Sequence, residues 1–99
     1  MGIIPHYYES LKEFWKEYHD AEDSLRAWYS EVKAAKWKTP NDIKEKYRSV
    51  SIMANNRAVF NIAGNKYRLI VAIKYEFQIV YIRFIGTHKQ YDKINAKEI

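Results

Sequence analysis

Cysteine is absent from the 99 residues of this chain. A disulfide framework, a thiolate zinc site and a cysteine nucleophile are therefore excluded, and a reducing compartment fits this composition. The three histidines do not follow a known metal-ligand spacing, and the three glycines form neither a phosphate-binding loop nor a nucleophile elbow. The sequence thus predicts no metal and no cofactor.

Long apolar runs are also missing. No stretch approaches the roughly 18 apolar residues that a membrane span needs. The opening MGIIPHYY lacks both the basic start and the long apolar segment of a signal peptide. We therefore expect a cytoplasmic protein with no membrane partner. The chain length suits a single domain over residues 1–99 with one modest core.

Basic residues are unevenly distributed along the chain. The formal net charge is +5, yet residues 1–56 contain nine Lys and Arg against nine Asp and Glu. Residues 57–99 contain eight basic against three acidic residues, so the whole excess lies in the second half. This half is expected to face a polyanion. Charge alone does not show that the protein binds nucleic acid, because many basic domains bind none.

Two amphipathic helices are predicted between Pro5 and about Lys36. Apolar residues recur at helical spacing over residues 11–18 and again over residues 25–32. Trp15 and Trp28 lie within these apolar stripes, so both are expected in the core rather than at a nucleic-acid surface.

The helices are expected to break near residue 20, where the stretch HDAEDS gathers capping residues. Either Asp20 or Asp23 can cap the start of the second helix. A short third helix is predicted after Thr39, because Pro40 suits a first helical turn and Asp42 suits the positive end of the helix dipole.

The rest of the chain changes character. The stretch SIMANNR shows no period and predicts a loop, whereas residues 58–86 are rich in β-branched and aromatic residues. Breaks at AGNK and YEFQ divide these residues into three antiparallel strands. We therefore predict an α+β fold with N-terminal helices packed on one face of an antiparallel sheet of three or more strands.

Two assumed hairpin loops set the register of these strands. A loop at Gly64-Asn65 places Asn61 opposite Arg68, and a loop at Glu76-Phe77 places Ile70 opposite Arg83. Strand parity then predicts an apolar face for the helices to cover. That face carries Phe60, Ile62, Leu69, Val71, Ile73, Val80, Ile82 and Phe84.

The opposite face is predicted to be basic, carrying Arg57, Asn61, Arg68, Lys74, Tyr81 and Arg83. Arg68 and Arg83 become diagonal neighbours, close enough for two guanidinium groups to hold one phosphate. The alternative is an ordinary solvated face, since exposed sheet faces are usually polar. Ile70 and Tyr81 argue against that alternative, because a purely solvated face does not favour them.

The third strand leads directly into the stretch GTHKQYD. Cleavage of RNA without a metal needs a base for the 2′-hydroxyl, cations for the phosphorane and an acid for the leaving oxygen. His88 can act as acid or base, Lys66 and Lys89 can stabilise charge, and Tyr91 can stack on a base or donate a proton. The alternatives are structural: His88 as a surface histidine, Lys66 as a turn residue, and Tyr91 as a ring packed on the sheet.

Three stretches resemble the HigB toxins of bacterial type II toxin–antitoxin systems, within the RelE-like superfamily. They are LRAWYSEVKAAKWKTPNDIKEKY, VFNIAGNKYRLIVAI and VYIRFIGTHKQYDKI, and the resemblance runs from about Leu11 to Ile94. It implies a ribosome-dependent, metal-independent mRNA endoribonuclease that inhibits translation. It also implies that the catalytic residues of the superfamily carry over to these positions: Arg68, Arg83, His88, Tyr91 and Lys66.

The other polar residues of this region are expected to bind RNA: Arg57, Asn61, Lys74 and Lys89. The resemblance further implies a HigA-like helix-turn-helix antitoxin that neutralises the toxin, and contact with operator DNA only through that antitoxin. The second hypothesis is a non-catalytic RNA- or ribosome-binding module that blocks translation. Both hypotheses need the basic face, but only a nuclease needs placed proton-transfer groups.

Overall fold

The N-terminal third of the chain, whose apolar residues recur at helical spacing, forms two helices. The computed structural model describes residues 1–4 and 6–99. Helix α1 spans His6–Glu17, a 3₁₀ turn spans His19–Ala21, and helix α2 spans Glu22–Ala34. The two predicted helices and their break near residue 20 are confirmed, whereas the predicted start at Pro5 lies outside the described residues.

The apolar stripes of these helices form the core, as predicted. Leu11 and Trp15 of α1 are buried, and so are Leu25 and Trp28 of α2. The Trp28 ring meets Phe60 of the sheet edge-on, with 5.5 Å between the ring centroids. Trp28 therefore joins α2 to one face of the sheet, and Trp15 of α1 belongs to the same buried core.

The predicted cap of α2 is wrong. Ala21 occupies the N-cap position and no side chain caps the helix. The Asp20 carboxylate instead accepts hydrogen bonds from the side chains of Lys66 and Tyr67. Asp23 lies within the first helical turn, where its charge still suits the helix dipole.

The third helix is confirmed as α3 (Pro40–Lys46). Thr39 is its N-cap: the Asp42 N–H donates to the threonine hydroxyl at 3.4 Å, and the Asp42 carboxylate accepts the Thr39 N–H at 3.2 Å. This capping box fixes the path of the chain into the sheet.

A mixed sheet follows the helices. Within the described residues its strands are β1 (Gly2–Ile3), β2 (Ser51–Met53), β3 (Arg57–Ile62), β4 (Tyr67–Lys74) and β5 (Ile79–Thr87). Their order is β1-β5-β4-β3-β2, with β1 parallel to β5 and the other pairs antiparallel. The predicted α+β fold with helices on one sheet face is confirmed.

Strand β2 corrects the predicted loop at SIMANNR. Its three residues pair with β3 at the sheet edge, and only the following turn is irregular. Asn55 and Asn56 adopt φ values of 61° and 58°, a left-handed conformation that asparagine tolerates better than most residues. The sequence period failed here because a three-residue edge strand is too short to show one.

The register of the first hairpin is as predicted, whereas that of the second changes at a β-bulge. Val71 pairs with Ile82 as expected, but Ile70 pairs with Phe84, so Arg83 has no partner on β4. An extra residue in one strand reverses the side-chain alternation beyond it. Phe84 therefore leaves the predicted helix face and packs on the opposite side of the sheet.

That opposite side, called the outer face below, is partly covered by the C-terminal segment. Helix α4 (His88–Tyr91) follows β5, and residues 92–99 then return across the sheet. Ala96 is buried against Ile70, which is completely inaccessible to solvent. The presence of Ile70 on a predicted polar face is explained by this cover.

None of the helices in the described ranges has the length and apolar character required to cross a membrane.

Candidate active site

The outer face consists of three cross-strand rows. From the β3–β4 hairpin toward the β4–β5 loop they are Asn61, Arg68 and Gly86; Val59, Ile70 and Phe84; and Arg57, Ala72 and Tyr81. The middle row is apolar and is covered by the C-terminal segment. It separates two polar areas. The hairpin cluster comprises Asn65, Arg68, His88 and Tyr91, and the arginine pocket comprises Arg57, Lys74, Tyr81 and Arg83.

The predicted diagonal pairing of Arg68 with Arg83 is wrong. Arg68 pairs with Gly86, so its diagonal neighbour on the outer face is Phe84. The bulge is the reason, because it moves Arg83 one step farther from the hairpin than a regular strand does. The two arginines belong to different polar areas, and their individual roles stay predictions.

A capping box delivers His88 to the hairpin cluster. Thr87 is the N-cap of α4: its hydroxyl accepts the Gln90 N–H at 3.3 Å, and its own N–H donates to the Gln90 side chain at 2.9 Å. A Cβ at Gly86 would come within 2.5 Å of both Gln90 and Phe84. Glycine at this position therefore lets α4 turn back over the outer face.

The Asn65 carbonyl defines the hydrogen-bonding state of His88. Nε2 of the imidazole is hydrogen-bonded to this backbone oxygen at the hairpin turn. A carbonyl oxygen only accepts, so Nε2 carries the hydrogen and Nδ1 of the neutral ring is the proton acceptor. The side chain is exposed, so a substrate can reach it.

Arg68 shares the same carbonyl. Its Nη1 lies 3.4 Å from the Asn65 oxygen and 3.5 Å from the Tyr67 oxygen. The guanidinium carbon lies 5.9 Å from the centroid of the Tyr91 ring. Tyr91 itself packs beside Ile70, as the structural alternative expected. The hairpin cluster thus contains a cation, an imidazole and a phenol held by one turn.

Lys66 is held differently. Its Nζ lies 2.7 Å from Asp20 Oδ2, and the Tyr67 hydroxyl donates to Asp20 Oδ1 at 2.5 Å. These two hydrogen bonds, that from Lys66 first, lower the pKa of Asp20 below its usual value. The bond to Asp20 is also the main cause that raises the pKa of Tyr67 to about 12. The predicted catalytic role of Lys66 stays a prediction.

Asp20 also bears on the position of His88. Tyr67 pairs directly with Thr87, the residue before His88, so the Asp20–Tyr67 bond connects the helical layer to the start of α4. Sequence reasoning missed this link, because 46 positions separate Asp20 from Lys66 and local pattern predicted a cap. Asn65 was missed because its backbone, not its side chain, makes the contact.

Replacing Asp20 with Asn should make the stability of the protein less sensitive to acid. The lowered folded-state pKa of Asp20 means that its contribution is fully present above about pH 5 and is lost as pH falls through that pKa. Tyr67 sets an upper limit, because its contribution is lost as pH rises from 10 toward about 12. Thermal melting of both proteins from acid to alkaline pH checks this.

The parent should melt above Asp20→Asn near neutrality, and the difference should shrink at the acid end. Glu17→Gln, at an exposed position of α1, serves as the control for removing one carboxylate. A melting difference that does not depend on pH would contradict the ionic role of Asp20.

The remaining residues predicted to bind RNA are dispersed. Asn61 donates its side-chain amide to the Ser49 carbonyl at 3.4 Å, and Lys89 is exposed on α4. Arg57 and Lys74 line an open cavity of about 290 Å³, together with Ala72, Tyr81 and Arg83. Their predicted contact with RNA stays a prediction.

The comparisons with known proteins agree with this architecture. The chain is 29% identical over 90 residues to the "mRNA interferase toxin HigB" of Escherichia coli strain K12, covering 89% of this chain and 86% of that protein. The same values hold for the "mRNA interferase HigB" of Escherichia coli O157:H7 and for that of Shigella flexneri. A family model for the HigB toxin, the RelE-like toxic component of a toxin–antitoxin system, matches residues 21–94. The match includes the whole of α2 and runs through α3 and strands β2 to β5 to three residues beyond α4, and the chain therefore belongs to the HigB toxin family.

Proposed function

We propose that this protein is a ribosome-dependent mRNA endoribonuclease that arrests translation without using a metal ion. Its relatives are named mRNA interferases, and its family comprises the toxic components of toxin–antitoxin systems. The hairpin cluster carries the proposal, because Arg68 and His88 meet at the Asn65 carbonyl beside the ring of Tyr91. A ribosome-binding module that does not cut RNA has no need of this combination.

The reaction uses Arg68, His88 and Tyr91 once each. Nδ1 of His88 accepts the proton of the 2′-hydroxyl, whose oxygen then attacks the adjacent phosphorus. The Arg68 guanidinium stabilises the negative charge that develops on the phosphorane. The bond from phosphorus to the 5′-oxygen breaks, and Tyr91 gives that oxygen a proton. The products are a 2′,3′-cyclic phosphate and a free 5′-hydroxyl.

Toxins of this family are the toxic component of a toxin–antitoxin system, so an antitoxin partner follows from the family. We propose a helix-turn-helix antitoxin of the HigA type, encoded next to this gene, through which the pair reaches operator DNA. The basic second half of the chain supports contact with ribosomal and messenger RNA. We propose a cytoplasmic location, because ribosomes translate messages there.

Mapping of mRNA 5′ ends in a translating extract tests the proposed activity. Addition of the protein should produce new 5′-hydroxyl ends inside codons, and these ends should disappear when the antitoxin is added first. Stalled ribosomes on intact messages would support the non-catalytic alternative. Protein stripped of trace metal by a chelator and then dialysed should cut as well as untreated protein. Loss of activity that added metal restores would contradict metal independence.

A further inference from the structure

A second polar site lies across the apolar row from the hairpin cluster. This arginine pocket is an open cavity of about 290 Å³ lined by Arg57, Ala72, Lys74, Tyr81 and Arg83. Ligand pockets of proteins begin at about 300 Å³, so the cavity suits one small unit rather than a large ligand. Among the described residues, its lining contains three cations and a phenol and no Asp or Glu side chain.

The β-bulge places Arg83 in this pocket. Arg83 is the unpaired residue between the pairs Ile70–Phe84 and Val71–Ile82. A bulge lets two consecutive residues serve the same side of a sheet, which a regular strand does not allow. Phe84 enters the apolar row and Arg83 lines the pocket next to it. A regular strand would put Arg83 opposite Ile70 in the apolar row, so the bulge moves this third cation out of that row and toward Tyr81.

The cations of the pocket differ in how firmly they are held. Arg57 donates from Nε to the backbone oxygen of Ile99 at 2.9 Å and from Nη1 to that of Asn55 at 2.8 Å. Lys74 and Arg83 are exposed, and neither forms an ion pair with any carboxylate in residues 1–4 and 6–99. Two free cations beside a fixed one provide donors for a phosphate group.

Tyr81 gives the pocket an aromatic surface. It is half-buried at the end of the row that begins with Arg57 and Ala72. Bases of single-stranded nucleic acids stack on aromatic side chains with little dependence on sequence. The small side chain of Ala72 lies between Tyr81 and Arg57, so the floor of the cavity is open to a base or a sugar.

We infer that the arginine pocket binds one nucleotide of RNA beside the cut site, its phosphate on Arg83 and Lys74 and its base against Tyr81. This inference rests on the proposed nuclease function, which names RNA as the substrate and the hairpin cluster as the site of cleavage. Arg68 and Ala72 are four residues apart on β4, which corresponds to about 13 Å along a strand. The nucleotide in the pocket is therefore not the one that is cut. Arg83 binds substrate rather than stabilising the transition state.

Binding of an uncleavable RNA tests the pocket directly. The probe is a short fluorescein-labelled single-stranded RNA with every 2′-hydroxyl methylated, titrated with the free toxin at low and moderate salt. Arg83→Gln should weaken binding about tenfold, as expected for loss of a charge-assisted contact. It should also make the binding constant fall less steeply as the salt concentration rises, because one phosphate contact is lost. Lys16→Gln removes one charge from the opposite, helical side and should bind like the parent.

Two further variants separate a shaped pocket from general attraction. Ala72→Leu keeps every charge but fills the cavity floor, and it should weaken binding severalfold. Tyr81→Phe should retain binding, whereas Tyr81→Ala should lose about as much as removal of one stacked base, on the order of tenfold. The melting temperature of each variant, compared with that of the parent, serves to check that the variant is folded. Parent-like binding by Ala72→Leu and Arg83→Gln, or a parent that does not bind the probe, would overturn the inference.

Cleavage kinetics on translating ribosomes provide the second readout. Arg83→Gln should raise KM by about the factor lost in binding and leave kcat close to the parent value, because only substrate binding is affected. A fall in kcat at constant KM would place Arg83 at the transition state and overturn the inference. Failure of the proposed nuclease function gives a different result from failure of the pocket: the parent protein itself leaves messages intact. The binding measurement does not depend on cleavage and still tests the pocket in that case.

Discussion

His88→Gln should lower mRNA cleavage at least a hundredfold while leaving ribosome binding and stability close to the parent values. A general base contributes about 10²- to 10⁴-fold to a rate, and glutamine provides no nitrogen that can take up a proton. Its amide can still donate a hydrogen bond to the Asn65 carbonyl, as Nε2 of His88 does. The substitution therefore removes proton transfer and keeps the structural contact.

Three measurements on one preparation of His88→Gln decide between a chemical and a structural role. Melting temperature reports folding, co-sedimentation reports ribosome binding, and mapped 5′ ends report cleavage. His19→Gln makes the same change at an exposed histidine of the 3₁₀ turn and should leave all three at parent values. Undiminished cleavage by His88→Gln would remove this residue from the mechanism. A lower melting temperature with normal cleavage per folded molecule would show a structural role.

Local pattern predicted helices α1 to α3, strands β3 to β5 and the register of the first hairpin, but not the short edge strands β1 and β2. The Gly64-Asn65 turn fixed the register from Val59–Ile70 to Asn61–Arg68, and all of these pairs are confirmed. Ala63 and Gly64 adopt positive φ values at this turn, which a short connection between twisted strands requires. Turn chemistry of this kind is local and can be read from a few residues.

The bulge was not predictable, because Phe84 and Ile85 are both apolar. Either can face the helices, and two neighbouring apolar residues do not tell which. The C-terminal segment determines which of the two faces the helices, since Ala96 and its neighbours cover Phe84 on the outer face. That segment, DKINAKEI, has only three apolar residues among eight, which is too few to predict packing from the sequence. The error in register then separated Arg83 from Arg68.

Arg68, His88 and Tyr91 of the hairpin cluster were predicted from the sequence, but Asn65 and the contacts that hold the cluster together were not. His88 and Tyr91 were chosen because a strand delivers them to the end of a basic face, and Arg68 does contact the Tyr91 ring. The Asn65 carbonyl and the Asp20 carboxylate act through distant backbone and side-chain contacts. A one-dimensional pattern does not contain such contacts.

Arg68→Ala should relieve growth arrest in cells that express the toxin. The guanidinium lies beside the imidazole that we propose as the general base, both being bound to the Asn65 carbonyl. Loss of a contact that stabilises developing charge costs about a hundredfold to a thousandfold in rate. Because Arg68 is only half-buried and has no carboxylate partner within the described part of the chain, the variant should remain folded.

Arg68→Lys makes the geometric requirement testable. Lysine keeps the positive charge but is a point charge without the planar fork that reaches Asn65 and lies over Tyr91. We expect it to recover only part of the cleavage rate lost in Arg68→Ala, and Arg48→Ala, at an exposed arginine after α3, to arrest growth like the parent. Growth arrest by Arg68→Ala at parent strength, with the protein folded and expressed equally, would exclude the hairpin cluster as the site of cleavage. Full activity of Arg68→Lys would show instead that charge alone suffices, so that the planar contacts with the hairpin carbonyl and the Tyr91 ring do not contribute to the transition state.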